Sequence, residues 1–326
     1  MLSGSPGTDE ARVAYCPRRT VLDEILVDAA VEAGAELREG FTVDAVLGAG
    51  GRVAGVRGHR RGGPEVSVTA PLVIGADGHH SMLAKSVSPE TYDERPALQG
   101  GYYAYWSELP VNGRFEISIG EACAFGAAPT NDGLTMVVGG WPIADYEHKR
   151  HEHEKSYLAM FDQYPEFRER ARAAHLESKL RGGPIPNFFR KPFGPGWALV
   201  GDAGYLKDPI TAQGISDAFR DAELLTDAID AWCSGARWYD AAMAEYQASR
   251  DAAARPTYGF TCQLAALSPP PPELTKLLAA AAGNQDAIDR FCRVNSGIAP
   301  PAEFFSEDNV RRVFAAAAAG SGQAHP

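Results

Sequence analysis

Apolar residues recur at two different periods along this chain, and the switches between them outline a fold. In RRTVLDEILVDAAVEAG, Val21, Leu22, Ile25, Leu26, Ala29 and Ala33 fall at helical spacing. Thr20, with Asp23 three residues on, predicts the start of that helix, and Gly34 the left-handed residue that ends it. A strand is expected around Glu36–Arg38. FTVDAVLGAGGRVAGVRG then reads as two short strands about a Gly50-Gly51 turn. EVSVTAPLVIGADG adds a strand whose end, Leu72-Val73-Ile74, is a continuous apolar run, as in a strand covered on both faces. Helix and strands alternate, which predicts an α/β layer.

From about Ala97 the texture becomes aromatic, β-prone and broken by Gly, Pro and Asn-Asp-Gly, which predicts an antiparallel sheet. A charged helical stretch, YEHKRHEHEKSYLAMFDQYPEFRERARAAH, follows. WALVGDAG returns to the buried-strand pattern. It feeds a helix from about Ile215 to Trp232 with Ile215, Ala218, Ala222, Leu225, Ile229 and Trp232 on one face. From Trp238 onward the chain is helical and Ala-rich, interrupted at Pro269–Pro272. Residues 1–14 read as a loose lead-in and the tail AAAAAGSGQAHP as frayed. The expected fold class is α/β: a Rossmann-like domain in two segments, 1–96 and 191–235, with an antiparallel β substrate domain inserted over 97–190 and a helical region over 236–326.

The chain has 326 residues, a length that favours two domains sharing a large core. Its 31 Lys and Arg against 42 Asp and Glu leave a formal charge of −11, which argues against nucleic acid and against an anionic membrane surface as partners. No run of about 18 apolar residues occurs, so no membrane span is expected. Five cysteines, none in a CxxC pair, indicate neither a disulfide framework nor a zinc ribbon; a reducing, cytoplasmic setting is expected. His148, His151 and His153, with Glu147 and Glu154, read as a solvated helix face rather than a metal site, so no metal is expected.

The strongest chemical signal is LVGDAGYLKDPITAQGISDAFRDAELL. An apolar strand ends at Gly201 with Asp202 at its carboxyl end, where open α/β sheets bind ligands. A carboxylate there accepts hydrogen bonds from sugar hydroxyls. Ala203 and Gly204 are small enough for close backbone approach, and Pro209 stiffens the loop. Gln213-Gly214 opens a long helix whose first-turn N–H groups favour an anionic ring edge. The competing reading is a plain strand–loop–helix crossover with Asp202 as a cap. A second string, LVIGADGHHSMLAKSV, ends another buried strand in Gly75-Ala76-Asp77-Gly78, whose competing reading is an Asp-Gly turn.

Together these strings resemble the DG and GD fingerprints of FAD-dependent monooxygenases of the p-hydroxybenzoate-hydroxylase type, and RRTVLDEIL resembles the arginine-bearing helix of that family. The resemblance runs from Arg18 to about Ile229. It implies FAD as cofactor, with NAD(P)H as electron donor. It places Arg19, Asp77, Gly78, Gly201, Asp202, Ala203, Pro209, Gln213, Gly214 and Ile215 at the cofactor. Tyr205 stands where the family has His, Ala212 where it often has Gly, and Ala84-Lys85 where an Arg is expected; the last weakens the NAD(P)H expectation.

The family's GxGxxG turn is not found, since Gly48-Ala49-Gly50-Gly51 leads to Val53 and reads as a hairpin. A chain shortened at its N-terminus is therefore expected, with poor FAD binding alone, and with self-association or a second chain supplying the missing unit. Tyr103, Tyr105 and Trp141 are the candidate substrate-lining residues, with core packing as the alternative; Tyr103 and Tyr105 share one strand face, and Tyr102 and Trp106 the other. The Asn187–Arg190 stretch is a weaker candidate for the cavity edge. No GxSxG or HExxH is present, and no catalytic side chain is assigned, which suits a cofactor that carries the reactive group.

The expected activity is oxidation, as hydroxylation of a small aromatic or polyketide-like molecule. A geranylgeranyl-reductase-like saturation of isoprenoid double bonds is the alternative, and a non-catalytic remnant or interaction subunit the reading from another class. The lack of a WxWxIP string argues against a halogenase.

Overall fold

A computed structural model describes residues 2–9, 12–120 and 122–321; the last residues of the Ala-rich tail lie outside that range. The chain opens with helix α1 (Arg19–Glu32). Three antiparallel strands follow, β1 (Phe41–Ala49), β2 (Arg52–Arg60) and β3 (Glu65–Thr69), in that spatial order. Gly50 and Gly51 turn β1 into β2 with φ of +59° and +77°, which two left-handed turn positions require. Then come β4 (Val73–Gly75), α2 (Met82–Val87) and β5 (Thr91–Arg95).

The aromatic stretch forms a six-stranded antiparallel sheet from β6 (Gln99–Ser107), β7 (Glu116–Gly120), β8 (Cys123–Pro129), β9 (Thr135–Pro142), β10 (His175–Leu176) and β11 (Arg181–Pro184). Helices α3 (Ile143–Lys149), α4 (His153–Ala159) and α5 (Pro165–Ala173) connect β9 to β10. Ala104, Trp106, Phe125, Val137 and Trp141 from the sheet pack with Tyr157, Phe161 and Phe167 from this helical connection. The Phe125 and Phe167 ring centroids lie 4.5 Å apart at a tilt of 52°, so an aromatic contact adds to apolar burial.

The chain then returns through β12 (Asn187–Arg190), β13 (Phe193–Gly194), β14 (Trp197–Leu199) and β15 (Tyr205–Leu206). Strands β15, β12 and β5 form one small sheet, and β13, β14 and β4 another. Helices α6 (Gly214–Cys233), α7 (Tyr239–Ala265), α8 (Pro272–Ala281), α9 (Gln285–Asn295), α10 (Pro301–Phe304) and α11 (Glu307–Ser321) complete an α/β fold. No described helix is long and apolar enough to cross a membrane.

Four expectations are corrected here. Residues 36–38 form no strand: Arg38 pairs with Glu36 at 2.7 Å, and no neighbouring strand among the described residues offers a ladder. Helix α1 starts at Arg19 behind an extended Arg18 without a side-chain cap. Thr20 is therefore already inside the helix, and Asp23 is taken by Arg19 at 2.6 Å. The apolar stripe of α1 is uncovered, with Ile25 59% exposed. The buried face of α6 is rotated from the expected one: Asp217, Asp221, Leu225 and Ala228 are buried, and Ala222 is exposed. The acidic positions turn inward because buried cations meet them there.

These burials sort mutations by cost. Ile25→Lys is expected to change unfolding free energy by no more than about 0.5 kcal/mol, because the side chain leaves no cavity behind. Phe189→Ala, removing a ring with no exposed surface that stacks on Tyr205 at 4.5 Å, is expected to cost about 3–5 kcal/mol in urea denaturation.

Candidate functional site

Two short parallel strands organise the site. Trp197 pairs with Val73, Ala198 with Ile74 and Leu199 with Gly75, and the Val200 N–H donates to the Gly75 carbonyl at 3.0 Å. Parallel pairing points both carboxyl ends the same way. The Gly75–Gly78 and Gly201–Gly204 loops therefore leave the sheet at one edge, although about 125 residues of chain separate them. A Cβ on Gly75 would lie 2.9 Å from Leu199 Cδ2 and 3.0 Å from Leu83 Cδ2, so a larger residue would have to push both leucine methyls aside.

Beyond β14 the chain turns sharply at Gly201, whose φ of +58° is left-handed. Gly201, Asp202, Tyr205, Lys207, Gly214, Asp217 and Ala218 line a cavity of about 20 Å³, enough for about one water. A larger ligand has the open rim, where Asp202, Pro209 and Gly214 are exposed and nothing lies within 4 Å of a Cβ built on Gly214. Helix α6 has no side-chain cap. The first N–H taken up among the described residues is that of Asp217, by the Gln213 carbonyl at 2.9 Å. The donors of Gly214, Ile215 and Ser216 and the positive end of a 20-residue helix thus face the rim, a donor set that fits an anionic ring edge.

Charge at the rim centres on Asp202. Burial of its surroundings lifts its pKa, a rise that His79 and Arg19 oppose and Asp217 reinforces. Arg19 therefore comes to the same edge as Asp202, from far upstream in the chain. Burial, then the adjacent His80, hold His79 below the usual imidazole value against the pull of Asp202.

The other candidate residues divide. Asp77 Oδ2 accepts from the Met82 N–H at 2.7 Å, adding to the Ser81 cap of α2, with Gly78 beside it at φ +74°. The Ala203 methyl is fully buried against α2 and β14, leaving only backbone for a ligand; Gly204 is buried too, under Arg250, 3.1 Å from where a Cβ would sit. The Gln213 side chain turns inward, accepting from Lys207 Nζ at 2.7 Å and donating to the Asn295 carbonyl at 3.3 Å, so its backbone alone faces outward.

On the inserted sheet, Tyr103 and Tyr105 share the half-buried face, with ring centroids 6.0 Å apart. Burial, followed by Tyr103 and Cys16, raises the Tyr105 pKa, while Arg18 and Arg181 lower it, so this face looks toward the lead-in. Trp141 is a correction. It pairs with Gly100 across the strands and is buried with Trp106 in the opposite, helix-covered face, because a two-residue period puts it in register with the even-numbered side chains of β6. Asn187, Phe188 and Phe189 are likewise core, and Asn187 Oδ1 accepts from the Asp208 N–H at 2.7 Å. His148, His151 and His153 are exposed, and no metal-competent group of His, Cys, Asp or Glu occurs among the described residues.

Sequence reasoning missed the charges behind the rim. Lys207, with a side chain 4% exposed, reaches Asp217 at 2.8 Å, and Arg220 reaches both Asp217 and Asp221. Burial lowers the Lys207 pKa while Asp217 raises it. Arg250 on α7 is fully buried, donating to the Gly204 and Arg190 carbonyls and to Tyr92 while paired with Asp251. The i, i+4 carboxylates Asp217 and Asp221 on a helix were the available signal. Asp208 was missed too: Gln99 and the Ile210 N–H both donate to its Oδ1, but Oδ2 is buried without a partner.

The profile of the FAD binding domain family matches residues 7–178, more than half the chain. A digeranylgeranylglycerophospholipid reductase from Methanocella arvoryzae is 27% identical over 213 residues, 63% of this chain and 52% of that protein. One from Thermoplasma acidophilum is 31% identical over a similar span. The chain thus spans about half the length of these relatives. Among solved structures, the myxobacterial chondrochloren halogenase CndH superposes with a TM-score of 0.71 at 22% identity, over 96% of this chain and 76% of that one. PqsL of Pseudomonas aeruginosa, described as a probable FAD-dependent monooxygenase, gives 0.59 at 21% identity, over 84% and 72%. At these identities the likeness is one of fold.

Two measurements probe the loop before α6. Burial pushes the Asp208 carboxyl up to about 6 from an ordinary 3.8, against the Gln99 and Ile210 bonds that favour its anion. The folded state therefore holds this proton more tightly than the unfolded chain. The stabilisation is complete below about pH 4 and is lost as pH rises through about 6, a change on the order of 3 kcal/mol. Asp208→Asn is expected to be more stable than the parent by about 1–3 kcal/mol above about pH 7, with the gap closing below about pH 4 in urea titrations. Ala212 adopts a left-handed φ of +53°. Ala212→Gly is expected to stabilise by about 0.5–1 kcal/mol, seen as a higher Tm.

Proposed function

The chain belongs to the FAD binding domain family, and on that premise we propose that it holds the flavin of an FAD-dependent oxidoreductase. The observation that carries this reading is the shared edge: β4 and β14 end side by side, and α6 opens there without a cap. When bound, FAD supplies the redox-active ring. Asp202 would accept hydrogen bonds from its sugar hydroxyls, with Arg19, paired to Asp23, adding a guanidinium at the same edge. The Gly214, Ile215 and Ser216 N–H groups would favour an anionic ring edge. Pro209, exposed at the rim, would border the group. Asp77, already committed to capping α2, fixes the Gly78 turn that borders the site. The Lys207–Asp217 pair and the Gln213 side chain brace the helix start from behind.

In this reading residues 97–190 hold the substrate between two flavin-holding segments, 1–96 and 191–235, and residues 236–326 brace the site loops through Arg250 and Asn295. The reaction is hydroxylation of a small aromatic or polyketide-like molecule by O2, one oxygen atom entering the substrate and the other leaving as water, with NAD(P)H supplying the two electrons that the second atom takes up. The half-buried Tyr103 and Tyr105 offer an aromatic face on the substrate side, where water is kept from the reacting centre. The second reading, saturation of isoprenoid double bonds, is favoured by the two reductase relatives. Substrate-driven oxygen uptake separates the first from the second.

Titration of the chain with FAD, followed by flavin fluorescence, tests the site. Saturable binding is expected, weak for the chain alone, and weakened about tenfold further by Asp202→Ala through loss of charge-assisted bonds. Equal affinity in the variant, or no saturation in the parent, overturns the assignment.

A further inference from the structure

A second cavity, of about 540 Å³, lies away from the flavin edge, between the lead-in and α9. Ser5, Gly7, Thr8, Asp9, Arg12 and Arg293 line it. Two guanidinium groups thus face one space in a chain whose formal charge is −11. Among the described residues neither lies within ion-pair distance of a carboxylate, and Arg293 Nε is buried with no partner. Asp289 accepts from the Ser5 N–H and from Gln285 Nε2, both at 2.8 Å, and is not among the lining residues; the described lining residues, with Arg12 and Arg293 against Asp9, carry one net positive charge.

The wall of this cavity is tied to the flavin edge. Arg293 sits in the last turn of α9, two residues before Asn295, whose carbonyl accepts from Gln213, the residue immediately before α6. Gly297, just past α9, packs on Gln213 so closely that a Cβ would lie 2.8 Å from its Nε2. A ligand gripped by Arg293 therefore has a rigid connection to the start of α6.

We propose that Arg12 and Arg293 form a recognition site for an oxyanion, a carboxylate or phosphate carried by a small organic ligand. As the anchor for an acidic group of the substrate it rests on the oxidoreductase reading, but as a binding site it does not. A guanidinium presents a planar fork of donors that matches either group, and two forks lining one space exceed what a single exposed arginine offers. The volume admits a ring-sized body behind the acidic group.

Calorimetric titration without flavin, using benzoate and phenyl phosphate as probes, tests this. Saturable binding of at least one probe is expected, weakening with added salt. Binding of benzoate alone identifies a carboxylate, and of phenyl phosphate alone a phosphate. Arg12→Gln and Arg293→Gln are each expected to weaken binding about tenfold, with thermal unfolding unchanged. Asp9→Asn is expected to strengthen it, because a like charge leaves the lining. Absence of binding by both probes overturns the proposal, as do arginine variants with parental affinity or an Asp9→Asn variant that binds more weakly. FAD binding measured in the same samples reports on the flavin site separately.

Discussion

Two strands of three residues, held parallel and in register, are the constraint on which this molecule turns. Were β14 to slip by one residue against β4, Leu199 would no longer face Gly75, and Asp202 would leave the edge that Asp77 shares. The packing matches this register. Gly75 leaves room for Leu199 and Leu83, and both leucines are almost fully buried with Ala203 and Trp197. A few apolar contacts thus place two loops from distant parts of the chain on one surface, and everything proposed for the cofactor follows from that placement.

Around this edge the protein has buried charge where an apolar core would have been simpler. Lys207 and Asp217, Arg220 and Asp221, and Arg250 and Asp251 lie directly beneath the loops they support. Burying such pairs contributes little net stability, because desolvation offsets much of their attraction. Their geometry, however, is specific. Arg250 binds the carbonyls of Gly204 and Arg190 at once, and Lys207 ties Gln213 to Asp217 across the first turn of α6. The loops are held in one conformation by directional bonds that non-directional packing does not supply.

The inserted sheet divides its aromatic residues by the same period-two logic. Even-numbered residues of β6 enter a helix-covered core, and odd-numbered ones stay half buried on the face that looks toward Cys16 and Arg18. A sheet with one face committed to packing leaves the other available for chemistry, and the lead-in segment borders both that face and the arginine-lined cavity.

The residues alone determined the α/β class, the Gly50-Gly51 hairpin, the long helix after Gly214 and the candidate edge around Asp202, because these follow from local periodicity, turn conformation and helix-terminal electrostatics. They also determined that Tyr103 and Tyr105 oppose Tyr102 and Trp106, which alternation requires. Partners lay beyond their reach. Whether residues 36–38 find a neighbouring strand, whether the apolar stripe of α1 is covered, and whether Trp141 faces core or cavity depend on what packs alongside. Asp217, Asp221, Arg250 and Asp208 read locally as ordinary helix or loop charges. Only the tertiary structure decided that they are buried and bonded, since the packing that desolvates them and several of the groups that bond them come from distant segments, as Tyr92 does for Arg250 and Gln99 for Asp208.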